Sequence, residues 1–288
     1  MDTNLVRRVL FAVVAIPVAL AVVYYGGWPL AVLVAFAGVL GTREVFDFAR
    51  RQRIEPASEL GMLTVVVFAP VGYLALSALD RSWWILAFGF FSGAMWLLGI
   101  MIWAVLRRAP GDKPLSAIAM TVFGVLYAGL LPAFLIVIRH TNDGVKSWRG
   151  AWLVFFPLVV TWVCDTAAMF GGKAMKGPKL APTISPGKTR SGTVAGIVAA
   201  LLVAPVFGRF ALEPVGVVIP LWQLLLLAGV WSIIGQLGDL AESLFKREVG
   251  VKDSSALIPG HGGVLDRLDS LYFVVPTAAL LYKLLGII

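Results

Sequence analysis

The sequence predicts an all-α, polytopic integral membrane protein of about nine transmembrane helices, N-terminus cytoplasmic and C-terminus on the opposite side. Three observations carry this. Hydrophobic residues fill 59% of the 288 positions. Charged residues fill only 14%, against roughly a quarter in a soluble domain, too few to cover a water-exposed surface of this size. The apolar residues also fall in runs of about 20, the length a helix needs to cross the hydrocarbon core. The same composition excludes intrinsic disorder. A single cysteine, Cys164, excludes a disulfide scaffold. With only two histidines, His140 and His261, a zinc site of the Cys/His type is excluded as well.

Nine runs fit spans: 6–24, 28–47, 60–79, 83–106, 116–138, 151–171, 191–212, 217–238 and 269–287. The first follows Arg7-Arg8 and contains Ala19-Leu20-Ala21, as a signal peptide would, but it is long enough to span and no secreted-type domain follows it. Sidedness comes from Lys and Arg. With the N-terminus inside, seventeen fall on the cytoplasmic side and six on the other, with Arg43 inside the second span. The segment 139–150 runs against this rule, since Arg139, Lys146 and Arg149 would lie outside. The chain divides into N-terminal transmembrane helices over 1–150, about five spans, and a C-terminal catalytic transmembrane region over 151–288, with cytoplasmic loops at 172–190 and 239–268. The net charge of +8 fits cytoplasmic loops and anionic lipid rather than nucleic acid.

The positions of the acids then carry the chemistry, because ionisable groups within a membrane are costly and mark function. Asp165 lies in the sixth span, six residues before Gly171, or about 9 Å from its inner end at 1.5 Å per residue. Asp239 closes the eighth span on the inside, and Asp266 and Asp269 open the ninth from the inside. Acids from three separate spans are thus expected at one cytoplasmic level. Asp239, Glu242, Ser243 and Lys246 would line one helical face, as would Asp266 and Asp269. Helix capping alone could explain Asp266 and Asp269. With Asp239 nearby, uncompensated like charges instead invite a hard divalent cation. Glu44 and Asp47, at the inner end of the second span, read as interfacial groups pairing with Arg43 or Arg50.

Basic residues flank these acids. The 172–190 loop carries Ser185, Lys188 and Thr189 into a helix start, which suits phosphate or, equally, lipid head groups. Gly187-Lys188-Thr189 is like the tail of a P-loop, but Pro182 stands where that pattern needs Gly. The 239–268 loop offers Lys246, Arg247, Lys252 and Arg267, suited to a polyphosphate, and delivers His261 between glycines into Asp266.

The run Ser243-Leu-Phe-Lys-Arg247, Lys252-Asp253, Pro259, His261-Gly-Gly263, Asp266-Arg267 and Asp269 resembles the hallmark motif of phosphatidate cytidylyltransferases, the CDP-diacylglycerol synthases. Asp165-Thr166, Ser185-Pro-Gly-Lys-Thr189 and Gly238-Asp239-Leu-Ala-Glu-Ser243 support it, so the resemblance covers the chain from about 160 onward. It implies transfer of a cytidylyl group from CTP to phosphatidic acid, giving CDP-diacylglycerol and pyrophosphate, in a homodimer of the inner (cytoplasmic) membrane with its active site on the cytoplasmic side. It also implies Mg²⁺, with a second cation as an option, held by Asp239, Asp266 and Asp269. Catalysis would then rest on Asp239, Asp266 and Lys246, with His261 and Asp165 in support. Ser185, Lys188, Thr189, Ser243, Arg247, Lys252 and Arg267 would bind phosphates and nucleotide. Three other readings compete. A membrane lipid kinase of the polyprenol type needs the same features. A cation-coupled transporter predicts duplicated halves, and no internal repeat is found. A CDP-alcohol phosphotransferase needs an Asp-Gly and Ala-Arg pattern that is missing here.

Overall fold

The computed structural model describes residues 17–78, 83–257 and 262–288. A helical stretch over 17–25 leads into α1 (Gly27–Arg51), α2 (Ser58–Ala78) and α3 (Trp83–Arg107). The next span is one continuous rod of changing pitch: α4 (Pro114–Gly124), a π-helical stretch Val125–Leu130, and α5 (Leu131–His140). Then come α6 (Trp148–Met175), strands β1 (Lys179–Ala181) and β2 (Ser185–Thr189), and α7 (Arg190–Phe207). The chain ends with α8 (Leu221–Glu248), a single turn α9 (Leu265–Leu268) and α10 (Leu271–Leu284).

The protein is a multi-pass, helical membrane protein. Among the described residues, six helical segments are long and apolar enough to cross a membrane: Gly27–Arg51, Ser58–Leu76, Pro110–His140, Trp148–Met175, Arg190–Val215 and Leu221–Glu248. Of the other three expected spans, 6–24 falls largely outside the described residues. α3 contributes a shorter apolar stretch, Phe91–Arg107, and α10 has 14 residues.

Two expectations are corrected. The 172–190 segment is not only loop: β1 and β2 pair antiparallel as a small hairpin. The 239–268 segment is not loop from its start, because α8 runs on unbroken to Glu248. Leu240, Leu244 and Phe245 keep an apolar helical repeat going past the charged positions, which is why the helix does not end at Asp239.

Small residues set the closest helix approach. Gly171 and Gly172 of α6 face Gly192 of α7, and Gly196 of α7 faces Cys164 and Ala168 of α6. A methyl on Gly192 would come within 2.6 Å of the Ala168 carbonyl oxygen, and one on Gly196 within 2.8 Å of that of Cys164. Such contacts replace hydrophobic driving force between helices in lipid. They also hold the hairpin, which leads into α7, over the C-terminal end of α6. The core beneath is apolar and aromatic, with Trp231 edge-on to Phe156 and Tyr282.

The basic residues at 139–150 are largely spent internally. The buried Arg139 donates to the carbonyls of Val23, Tyr24 and Gly144 at 2.7–2.9 Å. Arg149 pairs with Asp143 at 2.7 Å, and Lys146 lies over the Tyr25 ring.

Candidate active site

Two groups of polar residues lie where α6, the hairpin, α8 and α9 meet. The first is a cavity of about 860 Å³ lined by Asp165, Lys173, Lys176, Lys179, Ser185, Lys188, Thr189, Gln236 and Asp239. Its size is that of a site for a nucleotide-sized ligand. Lys188 of β2 lies 2.6 Å from Asp239 of α8. The Ser243 hydroxyl, one turn on, donates weakly to Asp239 at 3.4 Å. Four lysines around two aspartates give this cavity a positive balance suited to phosphates.

The second group lies one to two turns further along α8. Lys246 donates to Asp266 Oδ1 at 2.6 Å and approaches Glu242 at 3.3 Å. Asp266 Oδ2 receives the N–H groups of Ser254 and Gly263 and the Ser254 hydroxyl, each at 2.8 Å. Burial alone would raise the Asp266 pKa. Lys246 and these donors outweigh it and hold the carboxyl below the usual carboxylate range. Asp269 stands beside α8, its backbone packed against Gly238, next to Asp239 in the helix. α8 comes close enough to allow this because position 238 is Gly, where a methyl would stand 2.7 Å from the Asp269 carbonyl oxygen.

The expected residues are therefore gathered unevenly. Asp165, Ser185, Lys188, Thr189 and Asp239 share the cavity, and Lys246 and Asp266 pair beside it. Thr189 is committed to structure, since its hydroxyl caps α7 by accepting the Gly192 N–H at 3.1 Å. Arg247 ties the hairpin to α8 by donating to the Ile184 carbonyl at 3.2 Å. Lys252 and Arg267 are exposed. His261 lies outside the described residues.

Asp239 and Asp266 each hold a lysine, and among the described residues no three acidic, His or Cys side chains converge as they stand on one point for an ion. The donor set nevertheless fits a divalent cation. Five carboxylates (Asp165, Asp239, Glu242, Asp266, Asp269) lie in the two groups, and Lys188 and Lys246 are the lysines that pair with them directly. Glu242 is fully buried, and neither of its oxygens accepts a hydrogen bond. Its cationic partner among the described residues is Lys246, which Asp266 holds more closely, so a further positive charge would satisfy it.

Residues 6–285 match the cytidylyltransferase family. The chain belongs to that family. It is 33% identical to the phosphatidate cytidylyltransferase of Bacillus subtilis, over 98% of this chain and 97% of the relative. The phosphatidate cytidylyltransferase of Synechocystis sp. is 33% identical over 94% of both chains. That of Haemophilus influenzae is 40% identical over 54% of this chain and 55% of its own. Family likeness thus extends well before residue 160, where apolar residues interchange freely and leave no motif to read. This membership makes the protein an enzyme of the nucleotidyltransferase class.

Sequence reasoning misplaced one further residue. Glu44 is not interfacial: it is 3% exposed and accepts four hydrogen bonds from the segment that leads to Asp266. Asp47 does pair with Arg50, at 2.7 Å. A carboxylate two turns before the end of α1, among Arg43, Asp47 and Arg50, gave no signal of its own. Its partners lie more than 200 positions away.

Proposed function

We propose that this family member transfers the cytidylyl group of CTP to phosphatidic acid, releasing pyrophosphate and forming CDP-diacylglycerol in the membrane. The observation that carries the reading is the lysine-rich cavity opening beside a carboxylate cluster at the ends of apolar helices. A water-borne polyphosphate and a lipid phosphate can meet there. The names of its nearly full-length relatives supply the substrates.

In this reading Lys173, Lys176, Lys179 and Lys188 draw the triphosphate into the cavity, and Ser185 donates to it. Phosphoryl-type transfer asks little of protein groups beyond alignment and charge neutralisation. Lys188 and Lys246, now on Asp239 and Asp266, are placed to turn toward phosphate oxygens as the charge of the leaving pyrophosphate grows. A Mg²⁺ ion, with or without a second cation, would be held by Asp239, Asp266 and Asp269, with Asp165 and Glu242 adding negative charge. When bound it neutralises phosphate oxygens and the leaving group. His261 supports the same site from the motif. The assembly is proposed as a homodimer with nine spans in the inner membrane, its site on the cytoplasmic side.

The deciding assay supplies purified protein with CTP, Mg²⁺ and phosphatidic acid. A CDP-lipid with one equivalent of pyrophosphate is expected. Transfer of a single phosphate to a lipid would mean a kinase, and no nucleotide turnover at all would sink the enzyme reading. Light scattering of the detergent-solubilised protein checks the dimer.

A further inference from the structure

We propose that Glu44 is a positioning residue for this reaction, an N-terminal helix carboxylate that fastens both flanks of the connection between α8 and Asp266. The inference rests on the reading of Asp266 given above.

Glu44 stands on α1 and is buried. Its Oε1 accepts the Ser255 hydroxyl at 2.7 Å and the Val264 N–H at 3.0 Å. Its Oε2 accepts the Ser254 hydroxyl at 2.8 Å and the Leu265 N–H at 2.8 Å. Among the described residues no cation pairs with it, so neutral donors alone stabilise a buried carboxylate: three of its own and the Ser254 hydroxyl, which it shares with Asp266. Each is a charge-assisted bond, stronger than its neutral counterpart. The two amides are free N–H groups at the start of α9, which no helical carbonyl can satisfy. Ser254 and Ser255 lie on the near side of the connection, Val264 and Leu265 on the far side. One carboxylate therefore fixes the two flanks against each other.

The link to Asp266 is direct. The Ser254 hydroxyl is 2.8 Å from Glu44 Oε2 and 2.8 Å from Asp266 Oδ2. It has one proton, so it donates to one carboxylate at a time and couples the two. The fit leaves no room for a side chain between them. A methyl on Gly263 would stand 2.5 Å from both Glu44 oxygens and overlap the Ser254 hydroxyl. A methyl on Gly262, at φ +80°, would stand 2.6 Å from Asp266 Oδ2. The paired glycines of the motif are thus explained by two carboxylates packed against them.

The test compares Glu44→Gln, Glu44→Asp and wild type, full-length and purified, by turnover and by amide hydrogen exchange. Gln keeps the size but turns an NH₂ donor toward converging donors. We expect its kcat to fall about 10–100-fold, the loss typical when a group orienting a site ligand is removed. KM for CTP should change by no more than about threefold, since binding in the ground state is untouched. Exchange at Val264 and Leu265 should quicken, and Glu44→Asp, with both oxygens kept, should recover part of the loss. A kcat within about threefold of wild type, or unchanged exchange at those amides, overturns the proposal. If Glu44→Gln does not fold, Ser255→Ala carries the test, because it removes a single bond; unaltered exchange and turnover there overturn it too. If wild type forms no CDP-lipid, the reaction is misassigned. The exchange measurement then still decides whether Glu44 holds the connection.

Discussion

Asp266 shows how much one carboxylate can be asked to do. It carries Lys246, two backbone N–H groups and a hydroxyl, and these hold its pKa below the usual carboxylate range. A lowered folded value means folding favours the ionised form. Its contribution to stability is therefore complete above the unfolded value near 3.9 and is lost as pH falls through the folded value. The melting temperature of wild type should drop more steeply than that of Asp266→Asn as pH is lowered from about 5 toward 3, since the variant has nothing to protonate there. Parallel curves would mean that the pairing adds no stability. Asp239 and Asp266 stood out in the sequence because acids at the ends of apolar runs are rare, and Lys246 because its spacing puts it on the helical face of Asp239. Glu44 was not, because near Arg43, Asp47 and Arg50 it is one charge among several at an ordinary helix end.

At the scale of elements, the hairpin of β1 and β2 is the part the apolar pattern could not supply. Three and five residues are too few to show a strand period. Its position over the cavity depends on tertiary contacts: Thr189 caps α7 below it, and Arg247 reaches from α8 to the Ile184 carbonyl at its turn. Arg247→Ala should therefore raise KM for CTP by up to about tenfold, equivalent to about 1.4 kcal/mol, while leaving kcat nearly unchanged. Steady-state kinetics at saturating phosphatidic acid would show it; an equal fall in kcat would give Arg247 a part in the chemistry instead. α8 makes the complementary point. Its polar face was readable as i, i+3, i+4 and i+7 spacing, and the helix does carry Asp239–Ser243 and Glu242–Lys246 contacts on that face.

For the molecule as a whole, orientation is the property that the reaction requires and that lysine and arginine positions predict. Cys164 is buried, so a Gly187→Cys variant places one accessible thiol on the hairpin. A membrane-impermeant maleimide should label it in inside-out vesicles and not in right-side-out ones. The reverse pattern would turn the site away from CTP and remove the proposed function. The sequence by itself determined that the chain is a helical membrane protein, that acids and bases from its second half belong together, and that the motif from Ser243 to Asp269 is that of a cytidylyltransferase. These follow from solubility and local spacing, which are written along the chain. Only the tertiary structure decided that a carboxylate from α1 braces that motif, that each of two key aspartates faces a lysine, and that glycines bring α6 against α7. Such contacts join positions remote in the chain, and their strength comes from burial and geometry that no single segment specifies.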